Sequence, residues 1–211
     1  MSNDPHRIVE SGYDRIAERY VEVSRRGRGP ETYFRGFLDR AKSLVAQGGL
    51  VLDLGCGAGL IAAEFAASSR VVGVDLSARQ LELARTNAPS ALLVRGDISE
   101  VAFEPQRFDA VVAFWSLIHV RRELHASMLT RIHDWLRPGG LFAGTLGRSD
   151  DPDWREQDFF GAPMYWSHFD AETNRRLLVE AGFELVQADE IEDEGETPLW
   201  VIATASSEPR R

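Results

Sequence analysis

The sequence predicts an α/β fold. It reads as a doubly wound, mostly parallel seven-stranded sheet with a final antiparallel strand, two added N-terminal helices and a lid loop. Three observations carry this. Short apolar strands alternate with helical segments from Leu50 onward, the pattern of a parallel sheet covered on both faces. The first strand runs into a turn containing three glycines. The last two strands follow one another with no helix between them, so antiparallel pairing is expected.

Residues 1–7 read as a frayed tail. Ile8, Val9, Tyr13, Ile16, Ala17, Tyr20 and Val23 then recur at helical spacing. Gly27, Gly29 and Pro30 break that helix, and Phe34, Phe37, Leu38, Ala41, Leu44 and Val45 mark a second one ending at Gly48-Gly49. Val51, Leu52 and Leu54 suit a strand buried on both faces. Leu60 to Ala66 is helical, and Val71 to Asp75 is the second strand. Ser77 caps a helix from Ala78 to Asn87. Further strands fit Ala91–Val94 and Asp109–Trp115, and a long helix runs from Arg121 to Leu136. Arg137-Pro138-Gly139-Gly140 closes it before a fifth strand, Leu141–Leu146. Gly147 to Phe169 breaks the rhythm and concentrates Trp154, Phe159, Phe160, Tyr165 and Trp166, as a binding loop or lid would. Asp170 caps a helix through Ala181, and strands at Phe183–Val186 and Leu199–Ala205 end the domain. Residues 1–49 thus form a helical cap, 50–205 one compact domain and 206–211 a tail.

Composition narrows the function. The 211 residues carry a formal net charge of −9, which argues against non-specific nucleic-acid binding. No apolar run approaches membrane-spanning length and the N-terminus has no signal-peptide core, so a cytoplasmic protein without membrane contact is expected. Cys56 is the only cysteine, so neither a disulfide within the chain nor a thiolate metal cluster can form. Lys42 is the only lysine, and its place in an amphipathic helix argues against Schiff-base chemistry.

The stretch Leu50–Leu60 reads L-V-L-D-L-G-C-G-A-G-L. A strand passing through glycines into a helix is a ligand cradle, because glycine lets the backbone approach closely and the helix start offers unpaired N–H groups. A dinucleotide fingerprint would need a glycine where Leu60 stands. The stretch instead resembles motif I of the class I S-adenosylmethionine (SAM)-dependent methyltransferases, an acidic residue followed by G-x-G-x-G. The resemblance covers Leu50 to Ala205. It implies a SAM-binding enzyme whose last strand inserts between the fifth and sixth.

The resemblance also implies site residues. Gly55, Cys56, Gly57 and Gly59 would wrap the methionine part of SAM, with Asp53 holding the loop and reaching the ammonium directly or through water. Asp75, about 20 residues beyond the first glycine, suits the ribose hydroxyls. Asp97 would accept from the adenine amine, with Leu76 and Ile98 beside it. Phe114 and Trp115 end the fourth strand, and Tyr13, Tyr20 and Trp115 offer aromatic faces to a sulfonium cation. The two tyrosines would equally serve as helix packing. His119 is the first candidate for a general base and His168 the second, although a lone histidine often serves structure alone. His125 and His133 are expected on the surface. No acidic residue lies between Asp109 and Glu123, so no metal is expected.

The expectation is metal-independent methyl transfer from SAM to an oxygen or nitrogen of a small, apolar or aromatic molecule. The aromatic loop and the N-terminal helices would form the acceptor cavity. Two other readings stay open: an NAD-dependent oxidoreductase, which shares the glycine turn and Asp75, and a non-catalytic SAM-binding protein on the same fold.

Overall fold

A computed structural model describes residues 3–26, 29 and 32–206. The strands β1 (Leu50–Leu54), β2 (Arg70–Asp75), β3 (Leu92–Arg95), β4 (Phe108–Ala113), β5 (Leu136–Leu146), β8 (Phe183–Glu190) and β9 (Leu199–Ala205) form one sheet. Its order is β3-β2-β1-β4-β5-β9-β8. The pairs among β1 to β5 are parallel, and β9 runs antiparallel to both neighbours. β9 therefore inserts between β5 and β8, as the resemblance implies. Strand order reverses between β1 and β4, which opens a crevice at their carboxyl ends.

Every residue of β1 is buried because helices cover both faces. On one face α5 (His125–Trp135) and α6 (Ala171–Glu180) pack Met128, Ile132 and Leu178 onto Leu52, Leu54 and Val111. On the other, α2 (Tyr33–Ser43) and α3 (Leu60–Ala66) pack Phe34, Phe37 and Phe65 onto Val51, Val112 and Trp200. α4 (Ala78–Asn87) is capped by Ser77 Oγ and α6 by Asp170, as their sequences suggest. Buried aliphatic side chains of this size each contribute roughly 1.5–3 kcal/mol.

Four expectations need correction. The first helix, α1 (Pro5–Arg26), starts inside the supposed tail, with proline at a position where its missing N–H costs nothing. Arg137–Gly140 lies within β5 as an irregularity, the register passing from Phe108–Leu136 to Ala110–Leu141. His125 and His133 are not on the surface: His125 is buried with Nε2 at 3.0 Å from the Val120 carbonyl, and His133 packs on Phe183. The supposed lid loop is a β-hairpin, β6 (Asp151–Phe159) and β7 (Ala162–His168), whose Phe159 pairs with Ala162. Phe160 and Gly161 make the turn, both with positive φ, the geometry that suits the twist of two-residue hairpins. The tail expected beyond Ser206 lies outside the described residues.

α1 crosses the carboxyl ends of the central strands. It packs on β7 so closely that a Cβ on Gly12 would stand 2.7 Å from the Pro163 carbonyl oxygen and 2.8 Å from Met164 Cε. Val9 and Ile16 share a cluster with Ala162, Met164, Tyr165 and Trp166. Polar ties fasten it to the sheet side: Asp14 Oδ1 accepts from Ser77 Oγ (2.6 Å) and from the Arg79 N–H (3.1 Å), and Arg95 pairs with Glu10 (2.8 Å). Gly12→Ala is expected to cost about 1–3 kcal/mol, because the methionine end can yield but the carbonyl cannot. Urea denaturation measures the loss, and hydrogen exchange should show it in α1 and β7.

Candidate functional site

A cavity of about 540 Å³ lies between α1 and the carboxyl ends of β1, β2, β3 and β4. Its floor is the glycine turn. Gly55, Gly57 and Gly59 all have positive φ (73°, 52° and 76°), which glycine adopts without a steric penalty. The N–H groups of Gly55 and Cys56 both donate to the Val74 carbonyl (2.8 and 2.9 Å), tying the turn to β2. A Cβ on Gly55 would stand 2.3 Å from Ser116 Cβ, so the turn lies directly against the segment after β4.

Asp75 ends β2 inside the cavity wall. Its Oδ2 accepts the Gly57 N–H at 2.7 Å and its Oδ1 the Ser77 N–H at 2.9 Å. Burial raises the carboxyl to about 6, against these two hydrogen bonds, which favour the charged form. Asp97 follows β3 and also faces the cavity. Its Oδ1 accepts from the Ser99 N–H (2.7 Å), and Oδ2 lies 3.3 Å from His6 Nε2. Leu76 and Ile98 line the wall beside these two carboxylates.

Phe114, Trp115 and Ser116 form the wall after β4. Trp115 has a φ of 52°, rare for a side chain of this size, and is fixed at both ends. Its N–H donates to Thr145 Oγ1 (2.7 Å) and its indole Nε1 to Glu196 Oε2 (2.9 Å). Tyr13 and Tyr20 close the cavity from α1, their rings edge-on at 5.2 Å. His119 lies beneath Tyr13, with Nε2 at 2.8 Å from the phenol oxygen and Nδ1 at 2.7 Å from the Tyr165 carbonyl. Burial lowers its pKa to about 4, against the hydrogen bond to that carbonyl. The ring is neutral at ordinary pH.

Four of the sequence-derived site residues stand elsewhere or act differently. Asp53 is buried within β1, behind the turn, and does not line the cavity. Gly59 faces away from it, and a Cβ there would meet Ala84 at 3.0 Å, so this glycine serves the packing of α3 on α4. His168 is outside the cavity, with Nδ1 at 2.8 Å from the Ser149 carbonyl and its ring against Gly147. Cys56 lines the cavity, but its sulfur packs toward Gly73, and burial followed by the Asp53 charge pushes its thiol up. The aromatic hairpin does not line the cavity either. Phe159 and Phe160 stand behind Tyr20 at 6.3 and 6.4 Å, and Trp166 stands 5.7 Å behind His119. The hairpin buttresses α1 instead of facing a ligand.

The structure adds three residues to the site. Gln80 is 1% exposed and lines the cavity, yet neither amide atom has a hydrogen-bond partner. Ser116 Oγ, 8% exposed, is likewise unpartnered. Leaving such groups unmet costs about 1–3 kcal/mol each, which a polar ligand would recover. A glutamine beside Leu81 and Ala84 on the buried face of α4 was a readable signal. His6 is the third, and it escaped because Pro5 was not read as a helix start. Among the described residues no group of three or more His, Cys, Asp or Glu is placed to hold a metal ion.

Comparison with known proteins fits this geometry. A methyltransferase-domain family model matches residues 51–140. Over 162 residues the chain is 29% identical to an O-methyltransferase of Penicillium expansum, covering 70% of this chain and 56% of that one. It is 38% identical over 118 residues to a ubiquinone biosynthesis O-methyltransferase of Methylocella silvestris, covering 53% and 45%. The chain spans about half the length of the curated relatives it matches. The solved 1,6-didemethyltoxoflavin-N1-methyltransferase of Burkholderia thailandensis superposes with a TM-score of 0.69 over 98% of this chain and 92% of that one. At 23% identity, that likeness is one of fold.

The glycine turn makes a graded prediction. Gly55→Ala should cost more than about 2 kcal/mol, since it adds a clash with Ser116 to the φ penalty. Gly57→Ala has only Gln80 Oε1 nearby, at 3.8 Å. It should cost about 1 kcal/mol. Urea denaturation of the two variants checks the order.

Proposed function

We propose that the chain is a class I SAM-dependent methyltransferase, a reading that the methyltransferase-domain match over residues 51–140 supports, and that it transfers the methyl group of SAM to an oxygen or nitrogen of a small, apolar or aromatic molecule without a metal ion. The observation that carries this is the composition of the cavity beneath α1. One end has ribose-type and adenine-type acceptors in Asp75 and Asp97. Tyr20, Val21, Leu60, Ile61 and Trp115 add an apolar and aromatic wall, and among the described residues Arg121 is the one arginine or lysine in the lining.

The residues fit the methyl donor. Asp75 would take the ribose hydroxyls, Asp97 the adenine amine, and the unpartnered atoms of Gln80 and Ser116 would serve the polar groups lying over the glycine turn. When bound, SAM supplies an electrophilic methyl group on a sulfonium. This chain's part is to align a nucleophile with it and exclude water, which α1 does by covering the cavity. His119 is not a free base: Nε2 already faces the Tyr13 phenol, and the ring takes a second proton only in acid. His168 lies too far outside to replace it.

Incubation with methyl-labelled SAM and a panel of small phenols, catechols and aromatic amines tests the reading. Label should pass to at least one of them. Transfer to protein or nucleic acid instead would sink the small-molecule assignment.

Asp75 sets the pH dependence. Ribose hydroxyls donate to the ionised carboxylate, so binding must first remove the proton of a protonated Asp75. Affinity for S-adenosylhomocysteine should be flat above neutrality and weaken as pH falls through about 6, by at most about tenfold per pH unit. Calorimetric titration from pH 8 to pH 5 measures this, and Asp75→Asn should bind weakly with that dependence removed.

A further inference from the structure

The positions of the protons between α1 and the hairpin follow from their far end. The Tyr165 carbonyl can only accept, so the hydrogen of neutral His119 lies on Nδ1, 2.7 Å away. Nε2 then has only a lone pair. The Tyr13 hydroxyl, at 2.8 Å, must donate to it. A phenol has one hydrogen, and this one is committed to the body of the protein. What Tyr13 Oη presents to the cavity is a lone pair.

The place of that oxygen gives it significance. Tyr13 shares the cavity wall with Asp75, Gly55, Ser116 and Trp115, and it feels the charges of Asp75 and Glu196. Asp75 marks the ribose end and the glycine turn the amino-acid end. The sulfur of SAM joins ribose to amino acid, so on that reading it would fall between them, in the cavity that Tyr13 also lines. Resting on the reading of this cavity as the SAM site, we infer that His119 is a positioning residue acting through Tyr13. It draws the phenol proton away from the cavity and leaves a lone pair toward the sulfonium methyl, so that the site favours the charged methyl donor over the neutral demethylated product. Without His119 the hydroxyl could rotate and turn its hydrogen toward the cation.

The test needs no methyl acceptor. Calorimetry of the full chain at pH 7.5, with SAM and S-adenosylhomocysteine in separate titrations, gives the ratio of the two affinities. In Tyr13→Phe and in His119→Phe the preference for SAM should fall roughly tenfold, while affinity for S-adenosylhomocysteine stays within about twofold. The double variant should lose no more than either single one, because the two residues act as a unit. His119→Gln, whose amide oxygen can take the phenol proton while its N–H reaches Tyr165, should restore most of the preference.

An unchanged ratio in either single variant overturns the inference. So does an equal weakening of both ligands, which is what lost packing alone would produce. If the wild-type chain binds neither ligand, the assignment of the cavity falls as well. Binding of both with an unaltered ratio in the variants removes only the role given to His119. Thermal melting reports whether each variant folds, and if His119→Phe does not, Tyr13→Phe and His119→Gln decide the matter.

Discussion

At Gly55 the turn after β1 lies so close to Ser116 that a Cβ there would stand 2.3 Å from the serine's own. The contact forces two segments, one from each side of the strand-order reversal, into a common surface. The left-handed backbone of Gly55 and Gly57 turns the Gly57 N–H toward Asp75, and the Asp75 carboxylate in turn holds the Ser77 N–H at the start of α4. Three strand ends are thereby fixed relative to one another before any ligand arrives. Such preorganisation limits the ordering cost that binding must overcome.

The remaining side of the cavity is made by an addition to the sheet. α1 brings Tyr13, Tyr20, Val9 and His6 over the crevice, and the hairpin supports it from behind. The division is chemical as well as spatial. The sheet side contributes carboxylates and backbone groups, whereas α1 contributes mainly aromatic and aliphatic surface. A cationic, partly apolar ligand suits such an opposition: carboxylates favour its charge, and ring faces accept it without competing hydrogen-bond demands.

Much of this could be read from residues alone because it rests on local rules. The continuous apolar run of β1, the caps at Ser77 and Asp170, and the consecutive strands β8 and β9 need only burial and backbone hydrogen bonding to explain them. The losses occurred where tertiary context decides. Phe160-Gly161 makes the hairpin turn although neither the asparagine nor the aspartate that advertises such turns is present. His125 and His133 lie on a helix whose other neighbours suggested exposure, but a backbone carbonyl and a phenylalanine ring accommodate them inside. In the site, Asp75, Asp97 and Trp115 were legible as strand ends. Gln80 showed only as a polar residue on the apolar face of α4, and Ser116 gave no signal, because their side chains matter only once the crevice closes. His119 was legible as a residue and not as a role, because its partners Tyr13 and Tyr165 are distant in sequence.

The cluster that joins α1 to the hairpin is small and largely its own. Val9, Ile16, Ala162, Met164, Tyr165 and Trp166 form it, and from the sheet's connections only Leu76 and Ile118 reach its margin. Neither of the two cores flanking the sheet contributes a buried residue to it. The helix and hairpin thus share an apolar cluster distinct from the two that flank the sheet. Their attachment to the rest is largely polar: Asp14 to Ser77 and Arg79, Glu10 to Arg95, Tyr13 to His119, and Ser167 to Arg122. The floor of the cavity rests on the two sheet cores, whereas its roof rests on a cluster of its own.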